Sequence, residues 1–213
     1  MTRRSPKQNR VDPFGQLHAV EARGMWMGNR GVLHNETGKV VAQWRLRRWI
    51  ICKLSFKNRW RPVFAPRRYS ELFFLDEATA FAAGHRPCAE CRRERYNEFR
   101  AAWTAANSVG HDFLHAEEID DQLHDERVLP NGKKRSYEST LLDLPSGAFI
   151  ERAGVAHLVW NGGLIPWTFA GYLAPVTKVS VNDYVRVLTP ASIVATFNEG
   201  FIPEVHDSVG HVR

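Results

Sequence analysis

The chain has 213 residues, 44% of them hydrophobic, and 29 Lys+Arg against 23 Asp+Glu leave a formal net charge of +6. This composition excludes wholesale disorder, and no apolar run approaches the roughly 18–20 residues a membrane helix needs. Three cysteines are too few, and odd in number, for a disulfide framework; the expected compartment is a reducing cytoplasm, and the excess of base favours a polyanionic partner.

The start is basic, with Arg3, Arg4, Lys7 and Arg10, and lacks the apolar stretch of a signal peptide. Residues 1–13 are expected to be a flexible basic tail ending at Asp12-Pro13. Gly24 to Gly31 is a glycine-framed stretch that reads as an ordinary turn. A hairpin is predicted from Gly31 to Trp44, turning at Asn35 to Gly38. Alternation continues from Trp44 towards Cys52, with Trp44 and Leu46 on one side and Gln43, Arg45 and Arg47 on the other, so this stretch is predicted as strand. A loop from Lys57 to Arg68 follows, broken by Pro62 and Pro66.

Asp76 is placed to cap a helix that ends before Gly84. The next helix is predicted to open at Pro87, with Tyr96, Phe99, Trp103 and Ala106 on one face. His111 to Glu126 is acidic, carries histidines, and is expected to be partly helical. Beyond Pro130 the texture changes to short strand-like runs at 147–151, 156–160, 164–168 and 184–188, then a short helix from Pro190 through Phe197, stopped at Gly200. The expected fold class is α+β: a metal-binding module over 14–110, a helical connector over 111–137, and a small β-rich unit over 138–213.

The strongest chemical signal is Pro87-Cys88-Ala89-Glu90-Cys91. Two cysteines at i and i+3 can share a tetrahedral ion, and Arg86, Arg92 and Arg93 favour their thiolate forms. Deprotonated sulfur is what zinc requires. Cys52 is the remaining cysteine and the obvious third ligand.

The run Trp49-Ile50-Ile51-Cys52 to Phe56, followed by Phe73 to Arg92 with its Asp76, alanines and Arg86-Pro87-Cys88-Ala89-Glu90-Cys91-Arg92, resembles the metal-binding module of Ada, the bacterial methylphosphotriester DNA-repair family. That module has a C-x3-C pair after a strand, an alanine-rich helix, then Arg-Pro-Cys-x-x-Cys-Arg. The resemblance covers residues 49–93. It implies zinc as cofactor, Cys88 and Cys91 as the second ligand pair, and Cys52 as both ligand and methyl acceptor. The family's second cysteine falls at Phe56, which cannot bind zinc. The fourth ligand is then His85 or His34, with His111 and His115 as weaker contenders, or the position is open to water.

Other readings compete. His34-Asn35-Glu36 upstream of Pro87-Cys88-x-x-Cys91 also spells the zinc-deaminase signature, although Thr37-Gly38 reads as a turn where that fold needs a helix. His111, His115, Asp120 and His124 are the raw material of a hydrolase or nuclease site. Arg45, Arg47, Arg48, Lys57, Arg59, Arg61, Arg67 and Arg68 cluster with Trp44, Trp49, Phe56, Trp60 and Tyr69 between them, which fits phosphate contact and base stacking. The expected function is therefore a zinc-containing nucleic-acid-binding protein, acting on DNA in repair or processing. The alternatives are a zinc hydrolase, nuclease or deaminase with candidate catalytic residues Cys52, His34, Glu36 and His124, or a structural zinc protein binding a protein partner.

Overall fold

The computed structural model describes residues 5–58, 60, 62–108, 115–176 and 180–211, arranged as two six-stranded sheets and four α-helices. The first sheet is built from β1 (Arg10–Val11), β2 (Leu17–His18), β3 (Trp26–Asn29), β4 (Ile50–Cys52) and β5 (Leu72–Phe74). After helix α1 (Glu77–Ala82) it gains β6 (Arg86–Pro87). The spatial order is β2-β1-β5-β3-β4-β6, with β1/β5 and β4/β6 parallel and the other pairs antiparallel. Helices α2 (Arg93–Asn107) and α3 (Ala116–Arg127) follow.

The second sheet holds β7 (Tyr137–Thr140), β8 (Phe149–Arg152), β9 (Val155–Trp160), β10 (Gly163–Thr168), β11 (Gly171–Tyr172) and β12 (Tyr184–Val187), all antiparallel, in the order β11-β10-β9-β8-β12-β7. Its two tight hairpins turn on Ala153-Gly154 and Asn161-Gly162, where all four residues have positive φ. Two successive left-handed residues give the turn twist that matches paired strands. Helix α4 (Ala191–Asn198) then returns to the first core, where Phe197 meets Phe81 edge-on at 5.4 Å. Among the described residues no helix is long and apolar enough to cross a membrane.

Helix α1 lies between two cores, and its sequence shows why it can. Ala80 and Phe81 face the core shared with Phe99, Trp103 and Phe197, while Ala78 and Ala82 face the second sheet at Phe149 and Leu158. Alanines leave room for both layers to approach. Asp76 caps the helix as expected, accepting from the Thr79 amide at 2.8 Å and its hydroxyl at 2.6 Å. The same carboxylate accepts from Tyr172 Oη at 2.7 Å, which ties the cap to the second sheet. The predicted face of α2 is found with Tyr96, Phe99 and Trp103 buried.

Four local expectations are corrected. The stretch from Trp44 to Trp49 is not strand, because the Arg30 carbonyl accepts from both the Arg45 and Leu46 amides (2.8 and 3.0 Å) and gathers the chain into a loop. The Gly31–Trp44 hairpin shrinks to one bridge, His34 to Val40, around a turn organised by the Asn35 side chain. Gly24 to Gly31 is not a plain turn, since β3 occupies its middle; a Cβ on Gly28 would stand 2.5 Å from the Ile50 carbonyl oxygen. In the expected tail, Asn9 is buried and Arg10–Val11 pair with β2 and β5.

A fifth correction bears on the site. Pro87 does not open a helix; it ends the edge strand β6, and α2 begins at Arg93. Parallel pairing to β4 uses the amides of Arg86, to the Trp49 carbonyl at 3.1 Å, and of Cys88, to the Ile51 carbonyl at 2.9 Å. The residue between them needs no donor, so proline fits this edge position without loss.

Candidate metal centre

Cys52 closes β4, and the Cys88–Cys91 segment turns between β6 and α2. Parallel pairing of β4 with β6 therefore brings all three cysteines to one end of the sheet. Their Sγ atoms lie within 4.8 Å of one another, each residue only 8% exposed. Tetrahedral coordination with bonds of about 2.3 Å sets sulfurs roughly 3.8 Å apart, which falls inside that limit. Met27, Ile50 and Phe56 pack against the cluster. A buried Arg86–Asp120 ion pair, bidentate at 2.8 and 2.7 Å, fixes the strand just before Cys88 to α3. On the other side Arg92 pairs with fully buried Glu77 at 2.7 Å.

The donor chemistry suits a soft cation. Cys88 is held far below the usual thiol range, first because its sulfur accepts from Cys52 and Cys91 and then because the Cys91 and Glu90 amides point at it, the latter at 3.4 Å. Cys52 is pushed upward by the same shared protons and by burial. The three sulfurs thus share protons within one cluster. A divalent ion replaces those protons and allows all three to ionise in a site from which water is largely excluded. The residues present fit zinc.

The proposed fourth ligands are elsewhere. His34 is buried with both ring nitrogens engaged, Nδ1 with Ser70 Oγ at 2.6 Å and Nε2 with the Ala65 carbonyl at 3.3 Å, its ring stacked on Phe64. His85 is fully buried between Trp49 and Phe74 and accepts from Arg30 Nε at 3.3 Å; burial and then Arg30 drive its pKa well below the ordinary value. Among the described residues no histidine, aspartate or glutamate joins the three cysteines. His111 lies outside them.

Among the described residues, His34, Glu36 and His124 lie outside the cysteine cluster. Glu36 sits exposed on the turn after His34, so the deaminase-type signature is not assembled around Cys88 and Cys91. His124 is 9% exposed and packs edge-on against Trp44 at 4.6 Å; burial, then Arg127, lowers its pKa. Asp120 is committed to Arg86.

A pocket of about 460 Å³ opens beside the cysteines, walled by Met27, Phe56, Tyr69 and Phe73 with Trp60 at its rim. Trp60 is 86% exposed, and Lys53 and Glu90 also line the pocket. Met27 was invisible in the sequence as a wall residue, since only the Met27–Cys52 register places it there. Arg45, Arg47, Arg48, Lys57, Arg67 and Arg68 are exposed; Arg47 pairs with Asp121 at 2.9 Å and Lys57 with Glu90 at 3.6 Å. Arg59 and Arg61 lie outside the described residues. Comparison with protein-family models, curated proteins and solved structures found no match to the chain.

Proposed function

We propose that this protein is a zinc-thiolate protein that binds nucleic acid, acting on DNA in repair or processing. The observation that carries the reading is a cluster of three buried cysteines opening onto an aromatic pocket whose rim bears an exposed tryptophan. Cys52, Cys88 and Cys91 would hold zinc, which would cross-link β4 to the turn before α2. Trp60 offers a free face for stacking a base, and Lys53, Lys57, Arg67 and Arg68 offer charge to the backbone. The Ada-like run from Phe73 to Arg92 supports the same reading.

Elemental mass spectrometry on untagged protein purified without chelators tests the metal. One zinc per chain in wild type and much less in Cys52→Ala is expected. Fluorescence anisotropy with short DNA tests the partner, and affinity should fall steeply with salt. A wild-type protein without zinc overturns the metal assignment, and absence of salt-dependent DNA affinity leaves a structural zinc protein.

A narrower reading rests on Cys52 forming part of the pocket wall. Its sulfur would attack the methyl carbon of a methyl phosphotriester, forming a thioether while the O–CH3 bond breaks and its electron pair stays on the phosphodiester. Incubation with methylated DNA should then add one methyl group to Cys52 by peptide mass, and an unchanged Cys52 peptide ends this reading.

A further inference from the structure

At the other end of β3 and β4 lies a second pocket, about 200 Å³, that shares no wall residue with the cysteine pocket. Arg30, just beyond β3, and Arg127, the last residue of α3, reach it from different elements. Their guanidinium carbons each lie 4.0 Å from the centroid of the Trp49 ring. Lys134 completes the set, its ammonium donating to the Ala82 carbonyl. Both arginines are 1% exposed, and Lys134 is half-buried.

Four cations, the exposed Lys133 among them, thus line one small pocket, and no carboxylate lines it with them. The nearest acids are committed. Asp12 accepts from the Gln16 amide at 2.9 Å and bonds His18 at 2.7 Å, and Asp120 is held by Arg86. The arginines donate instead to neutral carbonyls, Arg30 to Gly15 at 2.9 Å and Arg127 to Gly84 at 2.8 Å. Arg30 Nη2 and Arg127 Nε are buried without a hydrogen-bond partner. The Nη2 atom sits against the pocket wall, 3.7 Å from where a Cβ on Gly15 would stand.

Leaving such donors unpaired is costly, most of all for charged groups, unless something answers them. Burial lowers Arg30 and Arg127 to about 9, and burial followed by repulsion from both arginines brings Lys134 to about 7. Lys134 and Arg127 answer the carbonyls that end α1, but no group lining the pocket balances the charge gathered here. An anion does.

We infer that this pocket binds a small tetrahedral oxyanion of the phosphate type, held by Arg30, Arg127 and Lys134. Guanidinium forks match phosphate oxygens, and a doubly charged ion balances most of the excess. The volume is below the roughly 300–1,000 Å³ of ordinary organic-ligand pockets, so the phosphate group itself is the recognised unit. It comes either from free phosphate or from the end of a nucleic-acid strand. The site is independent of the cysteines.

Equilibrium dialysis of the full-length protein with radiolabelled inorganic phosphate tests the site. One saturable phosphate per chain is expected, with affinity weakened roughly tenfold or more in Lys134→Met and in Arg127→Lys. Arg30→Gln risks misfolding; half-buried Lys134 keeps the test informative. A 5′-phosphorylated oligonucleotide that displaces the label, where its 5′-hydroxyl counterpart does not, assigns the site to strand ends. Displacement by phosphate alone assigns it to the free ion. Absence of saturable binding in wild type, or equal binding in Lys134→Met, overturns the proposal.

Discussion

Replacing Lys134 by methionine should stabilise the protein, in a way that depends on pH with a defined sign. In the fold, burial and then Arg30 and Arg127 push Lys134 from the ordinary 10.5 down to about 7. Taken whole, that displacement corresponds to about 5 kcal/mol against folding. The half-buried stem and salt screening reduce it to roughly half. Losing the ammonium's hydrogen bond to Ala82 subtracts about 1 kcal/mol, so a net gain of about 1–2 kcal/mol is expected. Because the folded value is depressed, the cost of Lys134 is fully present below about pH 7 and fades as pH rises towards 10.5. Urea midpoints measured in phosphate-free buffer from pH 6 to pH 10 should show Lys134→Met above wild type at pH 6, the two converging at pH 10. Added phosphate should raise wild type more than the variant and narrow the gap at pH 7. A variant less stable than wild type at pH 6, or a gap that ignores pH, would refute the account of a destabilising cationic pocket.

Trp60→Ala should leave the urea midpoint within about 0.5 kcal/mol of wild type, since the ring is 86% exposed, yet weaken single-stranded DNA by about 1–3 kcal/mol in anisotropy. Gly84→Ala should destabilise by about 2 kcal/mol or more: φ is +88° and the new Cβ would stand 2.5 Å from Arg127 Cδ. Phosphate affinity, read by dialysis, should fall with it. Removing zinc with a strong chelator should lower the melting temperature of wild type but hardly move Cys88→Ser, and calorimetry with and without chelator checks this. Gly28→Ala, whose Cβ would meet Phe74 Cε2 at 2.8 Å and the Ile50 carbonyl at 2.5 Å, should damage zinc content and phosphate binding together.

What the sequence disclosed, it disclosed through short-range chemistry. Asp76 and Gly84 bracket α1 because a cap and a left-handed stop act within a turn of their own position. Tyr96, Phe99 and Trp103 share a face because helical spacing is local. Pro87 was misread for the opposite reason: a proline before Cys-x-x-Cys suits a first helical turn as well as an edge strand, and only pairing with β4 decides between them. His85 and His34 read in the sequence as alternatives for the fourth ligand because sequence proximity says nothing about which partners a buried imidazole finds. Ser70, Ala65 and Arg30 took those nitrogens. The cationic pocket had no signature at all, since Arg30, Arg127 and Lys134 come from distant segments and look like ordinary surface base.

Both proposed sites hang from one pair of strands. β3 and β4 are antiparallel, with Met27 opposite Cys52 at one end and Asn29 opposite Ile50 at the other. One step beyond the second end stand Arg30 and Trp49, already within cation–π contact. A slip of one residue would turn Cys52 away from Cys88 and Cys91 and Trp49 away from its two guanidiniums, because side chains alternate faces along a strand. The register is pinned between them by Gly28, whose missing side chain lets Phe74 and the Ile50 carbonyl close in from two sides. Cysteine cluster and anion pocket are therefore set by the same close packing, although no residue lines both. Such an arrangement places a soft-metal site and a phosphate-sized site at opposite ends of one rigid element, and the geometry of each is inherited from the other's strand.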